Sequence, residues 1–161
     1  MHEELGDQER AWELYEHNLS WARALGNKPL ESQTLGAVAG MAIDQGRAGD
    51  AVSLLREVLR IDRDVGFRFQ TAIDLTRFAR ALAFAGESDA EATRLLSCAQ
   101  AVRDEMGAGG MPYLVRAHDE ARAIIRSRMD DDTFGEVWQE GATLTLDDAV
   151  ALALTETEPD A

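Results

Sequence analysis

Apolar residues recur along this chain every three or four positions, which is the spacing of one face of an α-helix. The pattern predicts six main helices, at about 7–25, 30–45, 50–65, 69–85, 89–106 and 112–129. No stretch shows the strict apolar and polar alternation of a half-buried strand. An all-α protein is therefore predicted.

Two kinds of helix alternate along the chain, and each kind recurs. The second kind opens on Ala11, Ala51 and Ala92 and ends at a glycine, so that Gly26, Gly66 and Gly107 follow one another at spacings of 40 and 41. The first kind has Leu35, Val38, Ala39 and Ala42, and returns as Leu75, Phe78, Ala79 and Leu82 and more weakly as Leu114, Ala117, Ala121 and Ile124. Because one helix pair cannot cover its own apolar face, we expect antiparallel hairpins stacked side by side.

Turn residues between the segments predict where the helices begin and end. Glycine at the end of each second-kind helix is expected to adopt the left-handed conformation of a C-terminus. Asp50 and Asp89 are predicted N-caps, and Pro112 is predicted to lie in the first turn of its helix.

The segment Leu35-x-x-Val38-Ala39-x-x-Ala42, followed by Ala51-x-x-x-Leu55-x-x-Val58, resembles the tetratricopeptide repeat in its long-period relatives. This resemblance implies a right-handed superhelical stack of antiparallel hairpins over residues 1–129, starting half a repeat in. The period is longer than the usual one of about 34, and the closing proline is missing. HEAT-like or armadillo-like helix pairs remain the structural alternative.

The C-terminal segment departs from the repeat, and 130–157 is predicted to form a short helical cap before a disordered tail at 158–161. Its two helices are expected after Asp130 and Thr145, the first ending at Gly141. The run from Phe134 to Leu154 resembles the tail of large bacterial multidomain regulators that carry a nucleotide-hydrolysing switch core. The resemblance implies that this chain is the C-terminal sensor or scaffold part, and no G-x-x-x-x-G-K-[ST] motif occurs in it.

Charge limits the classes of partner. With 16 Lys and Arg against 30 Asp and Glu, the formal net charge is −14, and no basic stripe is present. Such a chain repels phosphate backbones and anionic lipids, so neither nucleic acid nor a membrane is an expected direct partner. The start of the sequence lacks a secretion signal, which predicts a cytoplasmic location. Cys98, the single cysteine, lies among apolar residues and is predicted to be a buried thiol.

No pattern indicates catalysis. The three histidines do not form a metal-binding pair on one helix face, and the serines lack a nucleophile-elbow motif. We therefore predict no catalytic residue, no metal and no cofactor, and the chain is interpreted as not being an enzyme. An enzyme assembled from acids of several repeats is the alternative.

The inner face of the first-kind helices is the predicted binding groove for a protein or peptide segment. Its candidate binding residues are Gln33, Asp44, Arg77, Arg80, Phe84 and Arg122, with Gly36, Gly40, Ile43, Ile73 and Thr76 facing the same way. Small residues would leave room, and arginines beside Phe84 would hold a carboxylate or an aromatic ligand. In the alternative interpretation, the glycines only permit tight helix packing and the arginines are solvated.

The sequence thus predicts a non-catalytic interaction module, with two further possibilities. One is a small effector bound in the groove. The other is self-association, because the first helix lacks a preceding partner helix and carries Trp12 and Trp21 on its flank. A homodimer through this helix is therefore a hypothesis.

Overall fold

A computed structural model describes residues 2–107 and 111–155, apart from the side chains of 2–5. This part of the chain is all-helical and contains no strand, which confirms the predicted all-α class. The predicted tail at 158–161 and the last residues of the predicted cap lie outside the described residues. The described residues form eight helices, namely α1 (His2–Leu25), α2 (Lys28–Asp44), α3 (Ala48–Val65), α4 (Arg68–Ala85), α5 (Asp89–Glu105), α6 (Pro112–Arg126), α7 (Asp131–Ala142) and α8 (Leu146–Leu154).

Short polar side chains cap several of these helices. Asp130 accepts a hydrogen bond from the Thr133 backbone N–H at 2.8 Å, as predicted, and Thr145 caps α8. The predictions for Asp50 and Asp89 are wrong. Helix α3 begins at Ala48, before Asp50, and Ser88 is the N-cap of α5. Both carboxylates instead lie in the first turn, where they meet the positive end of the helix dipole.

The helix C-termini follow the predicted glycine pattern. Gly26, Gly66 and Gly107 have φ angles of 65°, 80° and 68°, a conformation that is strained for residues with a side chain. Gly141, however, does not end its helix, because α7 continues to Ala142 and Gly141 is not among the positive-φ glycines.

The helices pack on their chain neighbours and, in the second half, across one another. Helices α1 to α5 pack consecutively, α6 packs mainly on α4, and α7 packs on α5. Helix α8 lies against α3, α4 and α5. The buried core extends from Leu35 in α2 to Ala153 in α8, so the C-terminal helices complete the core of the preceding ones.

The contact between α5 and α7 is very close because Gly141 has no side chain. A Cβ atom placed on Gly141 would lie 2.7 Å from Arg94 Cα and 2.8 Å from Ser97 Cβ. Ser97 donates a hydrogen bond to the Trp138 carbonyl oxygen at 2.6 Å, which ties the two backbones together. This close contact holds α7 against α5.

Candidate functional site

One surface, formed by α2, α4 and α6, gathers most of the predicted groove residues. Its centre is Arg80, whose Nε donates to Glu120 Oε2 at 3.0 Å and whose Nη2 donates to Asp44 Oδ1 at 3.4 Å. The Arg80 side chain is only 17 % exposed, so the guanidinium is held between acids from the two flanking helices. Its Cζ lies 5.0 Å from the centre of the Phe84 ring. Arg80, Asp44 and Phe84 therefore form one connected group.

A second arginine and aromatic pair lies on the same surface. Arg77 donates from Nη1 to Asp74 Oδ1 at 3.0 Å, and its Cζ lies 5.9 Å from the centre of the Tyr113 ring. Phe84 and Tyr113 are each 42 % exposed, although both are large aromatic residues. We call this surface the arginine–aromatic face and define it by Asp44, Arg77, Arg80, Phe84, Tyr113 and Glu120.

The two glycines predicted to widen the groove differ. A Cβ atom on Gly36 would lie 3.0 Å from Arg77 Nη1, so this glycine allows the arginine to lie against α2. A Cβ atom on Gly40 would meet no atom within 4 Å, so the space beside it is open. Gly36 thus fits the interpretation that glycine permits tight packing, and Gly40 fits the interpretation that a small residue leaves room in the groove.

Three residues predicted to face the groove are in the core instead. Ile43, Ile73 and Thr76 are 5 %, 3 % and 0 % exposed. The hydroxyl of Thr76 donates to the Ala72 carbonyl within α4, which satisfies it without a ligand. The prediction failed for Ile73 and Thr76 because α4 is covered on several sides, so almost every register position of its middle is buried. Ile43 lies in α2, which packs against α1, α3 and α4.

Gln33 is exposed and lines a small cavity at the beginning of α2 and α4. This cavity encloses about 60 Å³, and Gln70 lies on its opposite helix. Its wall includes Asp62, which is 3 % exposed and accepts a hydrogen bond from the Ser32 hydroxyl at 2.5 Å. Gln33 therefore lies at one end of the same pair of helices as Arg80.

Asp62 and Asp74 form a buried pair of acids between α3 and α4. Burial, together with a hydrogen bond and charge repulsion from Asp74, raises the pKa of Asp62 to about 8. Asp74 itself is fully buried and accepts hydrogen bonds from Arg77 and from Gln70. The raised pKa favours the protonated form of Asp62 beside Asp74.

The variant Asp62→Asn is expected to remove part of the pH dependence of stability. The pKa of Asp62 in the folded protein is raised to about 8 from 3.8, so the folded state binds more protons than the unfolded state between these values. The free energy of unfolding therefore falls as the pH rises through this range. Asparagine can still accept the hydrogen bond from Ser32, and it does not titrate. Urea unfolding at about pH 5 and about pH 9 should show the variant gaining stability relative to wild type at the higher pH.

Asp130→Asn is the control for this titration. Hydrogen bonds from Thr133 lower the pKa of Asp130, so its protonation lies below the tested range. Its stability difference from wild type should stay constant. If the stability difference between Asp62→Asn and wild type were equally constant, the raised pKa of Asp62 would be contradicted.

Arg122 is not on the arginine–aromatic face. Its Cζ lies 5.4 Å from the centre of the Trp138 ring and 5.9 Å from that of Phe134, both in α7. Arg122 also lines a cavity between α5 and α6. The sequence prediction grouped Arg122 with Arg77 because both are arginines on first-kind helices. Arg122 in α6 contacts Trp138 of α7, whereas Arg77 in α4 contacts Tyr113.

The two tryptophans of α1 have different surroundings. Trp12 is half-buried, donates from Nε1 to Glu16 at 3.1 Å, and lies 6.0 Å from the guanidinium of Arg47. Trp21 is 61 % exposed. Leu14 and Leu25, which continue the helical spacing of apolar residues in α1, are 59 % and 68 % exposed. These two leucines are therefore not core residues.

Two members of the arginine–aromatic face were missed by sequence reasoning, namely Tyr113 and Glu120, and so was Asp74, the buried acid that pairs with Arg77. A signal for Glu120 existed, because Asp44, Arg80 and Glu120 alternate in charge and are 36 and 40 positions apart, close to the repeat period. Tyr113 follows the predicted helix start at Pro112, but no pattern in the sequence places its ring beside Arg77.

Three further features concern the part of the chain that the structure describes: possible metal ligands, the cysteine thiol and the apolar character of the helices. No group of three or more His, Cys, Asp or Glu residues there is arranged to hold a metal ion. Cys98 is fully buried, as predicted, and burial raises the pKa of its thiol to about 11. None of the described helices combines the length and apolar character needed to cross a membrane.

No family model, curated protein or solved structure matches this chain.

Proposed function

We propose that this protein is a non-catalytic interaction module that binds a segment of another protein on the arginine–aromatic face. The observation that carries this proposal is the exposure of Phe84 and Tyr113, each beside an arginine that is held in place by acids. Aromatic residues and arginine are the side chains that most often dominate the energy of protein interfaces. Held arginines also lose little conformational entropy when a partner binds.

The ion pairs define which partner fits. Arg77 and Arg80 are already bonded to Asp44, Asp74 and Glu120, so the face has no excess positive charge to offer an acidic segment. A partner would instead place apolar or aromatic side chains over Phe84 and Tyr113. The open space beside Gly40 would allow its backbone to approach α2.

The finer architecture and the origin of the module are part of the same proposal. Consecutive packing of α1 to α5 and the repeat spacing of 40 and 41 support a right-handed, tetratricopeptide-like stack of hairpins. A role as the C-terminal sensor part of a larger bacterial regulator is supported by the resemblance of the run from Phe134 to Leu154. The cytoplasm is the compartment that we propose.

Truncation of the two aromatic residues should weaken binding of a partner peptide. We expect peptides selected from a random library on the wild-type protein to bind Phe84→Ala and Tyr113→Ala at least about tenfold more weakly, since a buried aromatic anchor contributes 1.4 kcal/mol or more. Fluorescence anisotropy with labelled peptides measures the dissociation constants. Circular dichroism checks that the variants are folded.

Trp21→Ala is the matched control, because it removes an exposed aromatic ring on α1, outside the arginine–aromatic face. Its peptide affinity should equal that of the wild type. Failure to select any binding peptide, or selected peptides that bind the double variant of Phe84 and Tyr113 normally, would contradict the proposal.

We propose self-association through α1 as a second candidate function. The specific observation is that Leu14, Trp21 and Leu25 lie within one stripe of α1 and are each at least 59 % exposed. In an antiparallel pair with its two-fold axis near Asn18, Leu14 of one copy would meet Trp21 of the other. Trp12 contributes less, since Glu16 and Arg47 of the same chain already contact its ring.

Charge in the α1 stripe should prevent this association. Light scattering over a range of concentrations should show the mass rising toward a dimer for wild type and remaining that of a monomer for Leu14→Glu and Trp21→Glu. Val115→Glu, at a half-exposed position on α6, should dimerise like wild type. A wild-type monomer at the highest concentration would exclude the homodimer.

A further inference from the structure

The gap between α5 and α6 contains a cavity of about 200 Å³, which we call the α5–α6 cavity. Helix α6 packs mainly on α4, and therefore leaves space beside α5. The inner wall carries Gln100, Arg103 and His118, while Asp104, Asp119 and Arg122 are exposed at the mouth. The volume equals that of about six or seven water molecules, so a small organic molecule fits.

Arg103 is buried to an unusual degree for a cation, at 4 % exposure. Its Nη2 donates to His118 Nδ1 at 3.2 Å and its Nε donates to the Ala99 carbonyl at 3.4 Å. Among the described residues no carboxylate lies within 4.0 Å of the guanidinium. Asp104 attracts the guanidinium only from a longer distance, and burial outweighs this attraction and lowers the pKa of Arg103. An anion in the adjoining cavity would relieve the cost of burying the charge.

His118 and Gln100 supply a donor and an acceptor to the same wall. Because Arg103 can only donate, His118 Nδ1 accepts, and the ring proton is on Nε2. Burial and the charge of Arg103 lower the pKa of His118 to about 4, so the ring is neutral at pH 7. Gln100 Oε1 is buried and has no hydrogen-bond partner within the described part of the chain.

The polar residues Gln100 and His118 of the cavity replace apolar residues of the earlier repeats. Gln100 occupies the position of Leu19 and Leu59, and His118 that of Ala39 and Ala79, at spacings of 39 to 41. Leu59, Ala39 and Ala79 are fully buried core residues. Packing alone therefore does not require polar side chains at these positions.

We propose that the α5–α6 cavity binds a small carboxylic acid that carries a hydrogen-bond donor on the carbon next to the carboxylate. The carboxylate would pair with Arg103, and the donor would face Gln100 Oε1. An ammonium donor would in addition be attracted by Asp104 and Asp119 at the mouth, so an α-amino acid should bind more tightly than the matching α-hydroxy acid. This site is independent of the arginine–aromatic face, because neither Phe84 nor Tyr113 lines it.

The fluorescence of Trp138 provides the test. Its ring lies edge-on to His118, with 5.9 Å between ring centres, and Trp12→Phe with Trp21→Phe leaves it as the remaining tryptophan of three. L-alanine and lactate should each change the fluorescence in a saturable way below about 10 mM. A site with a dissociation constant of about 1 mM is nearly saturated at that concentration. Propionate, which lacks the donor, should bind about tenfold more weakly than lactate. L-alaninamide, which lacks the carboxylate, should cause no change.

Substitutions assign the binding to these residues. Arg103→Met should weaken L-alanine binding at least about thirtyfold, as expected for losing one partner of a buried charged pair. Gln100→Leu restores the residue of the earlier repeats, so it should fold, and it should bring lactate to the affinity of propionate. Arg94→Met is the control on the same helix, since Arg94 is paired with Glu140, and it should bind normally.

The proposal is overturned if neither L-alanine nor lactate changes the fluorescence of the wild-type background. It is equally overturned if their binding survives in both Arg103→Met and Gln100→Leu, because the ligand would then lie elsewhere. Peptide binding at the arginine–aromatic face is measured separately, so each proposal can fail without the other.

Discussion

Replacing Phe78 with alanine is expected to lower the free energy of unfolding by about 3–5 kcal/mol. Phe78 lies in the middle of α4, the helix that contacts most of the others, and its ring is fully buried. The guanidinium of Arg56 lies 5.6 Å from the ring centre and would lose this contact as well. Removal of the ring leaves a cavity that surrounding helices can fill only in part. The melting temperature should fall by roughly 10 °C or more, measured by thermal unfolding.

Phe84→Ala makes the same chemical change on the same helix and is the matched control. Because Phe84 is 42 % exposed, its loss should cost less than about 1 kcal/mol. Equal destabilisation by the two variants would show that α4 does not form the centre of the core. The comparison also establishes that a binding defect of Phe84→Ala is not caused by unfolding.

Gly141→Ala is expected to destabilise the protein by about 3 kcal/mol, although it adds a single methyl group to a helix. The added carbon would overlap the Arg94 carbonyl oxygen and lie 2.7 Å from Arg94 Cα. These are backbone atoms, so α7 would have to move away from α5. This movement would also lengthen the hydrogen bond from Ser97 to the Trp138 carbonyl. Urea unfolding measures the loss.

Gly135→Ala tests whether the loss comes from the contact or from the helix itself. Gly135 lies in the same helix, and a Cβ atom there would meet nothing within 4 Å. Alanine favours helix over glycine, so this variant should be as stable as wild type or more stable by up to about 1 kcal/mol. If Gly141→Ala were equally harmless, the close packing of α5 on α7 would be wrong.

Local patterns predicted the helices well because they depend on neighbours in sequence. Gly26, Gly66 and Gly107 have the predicted left-handed conformation, and Asp130 caps its helix as predicted. Errors at this level are small shifts, as at Asp89, where the adjacent Ser88 also has a side chain able to cap. Ser88 and Asp89 are both good capping residues, so propensity alone does not choose between them.

Part of the candidate site could also be predicted. Asp44, Arg80 and Phe84 were expected on one surface, and the structure brings them into contact. Tyr113 was missed and Arg122 was placed with the wrong group, because the rotation of α6 about its own axis decides which of its side chains faces α4. That rotation depends on what α6 packs against, which is not visible in its own sequence.

The sequence by itself determined the all-helical class and the helix C-termini at Gly26, Gly66 and Gly107, because these follow from residue spacing and backbone preference. Only the tertiary structure decided that Gly141 is a point of contact, that Asp62 lies beside Asp74, and that Arg103 is buried next to an open cavity. Each of these facts arises between helices that are far apart in the chain. Their packing depends on the combined shape of all the faces, whereas local patterns report one face at a time.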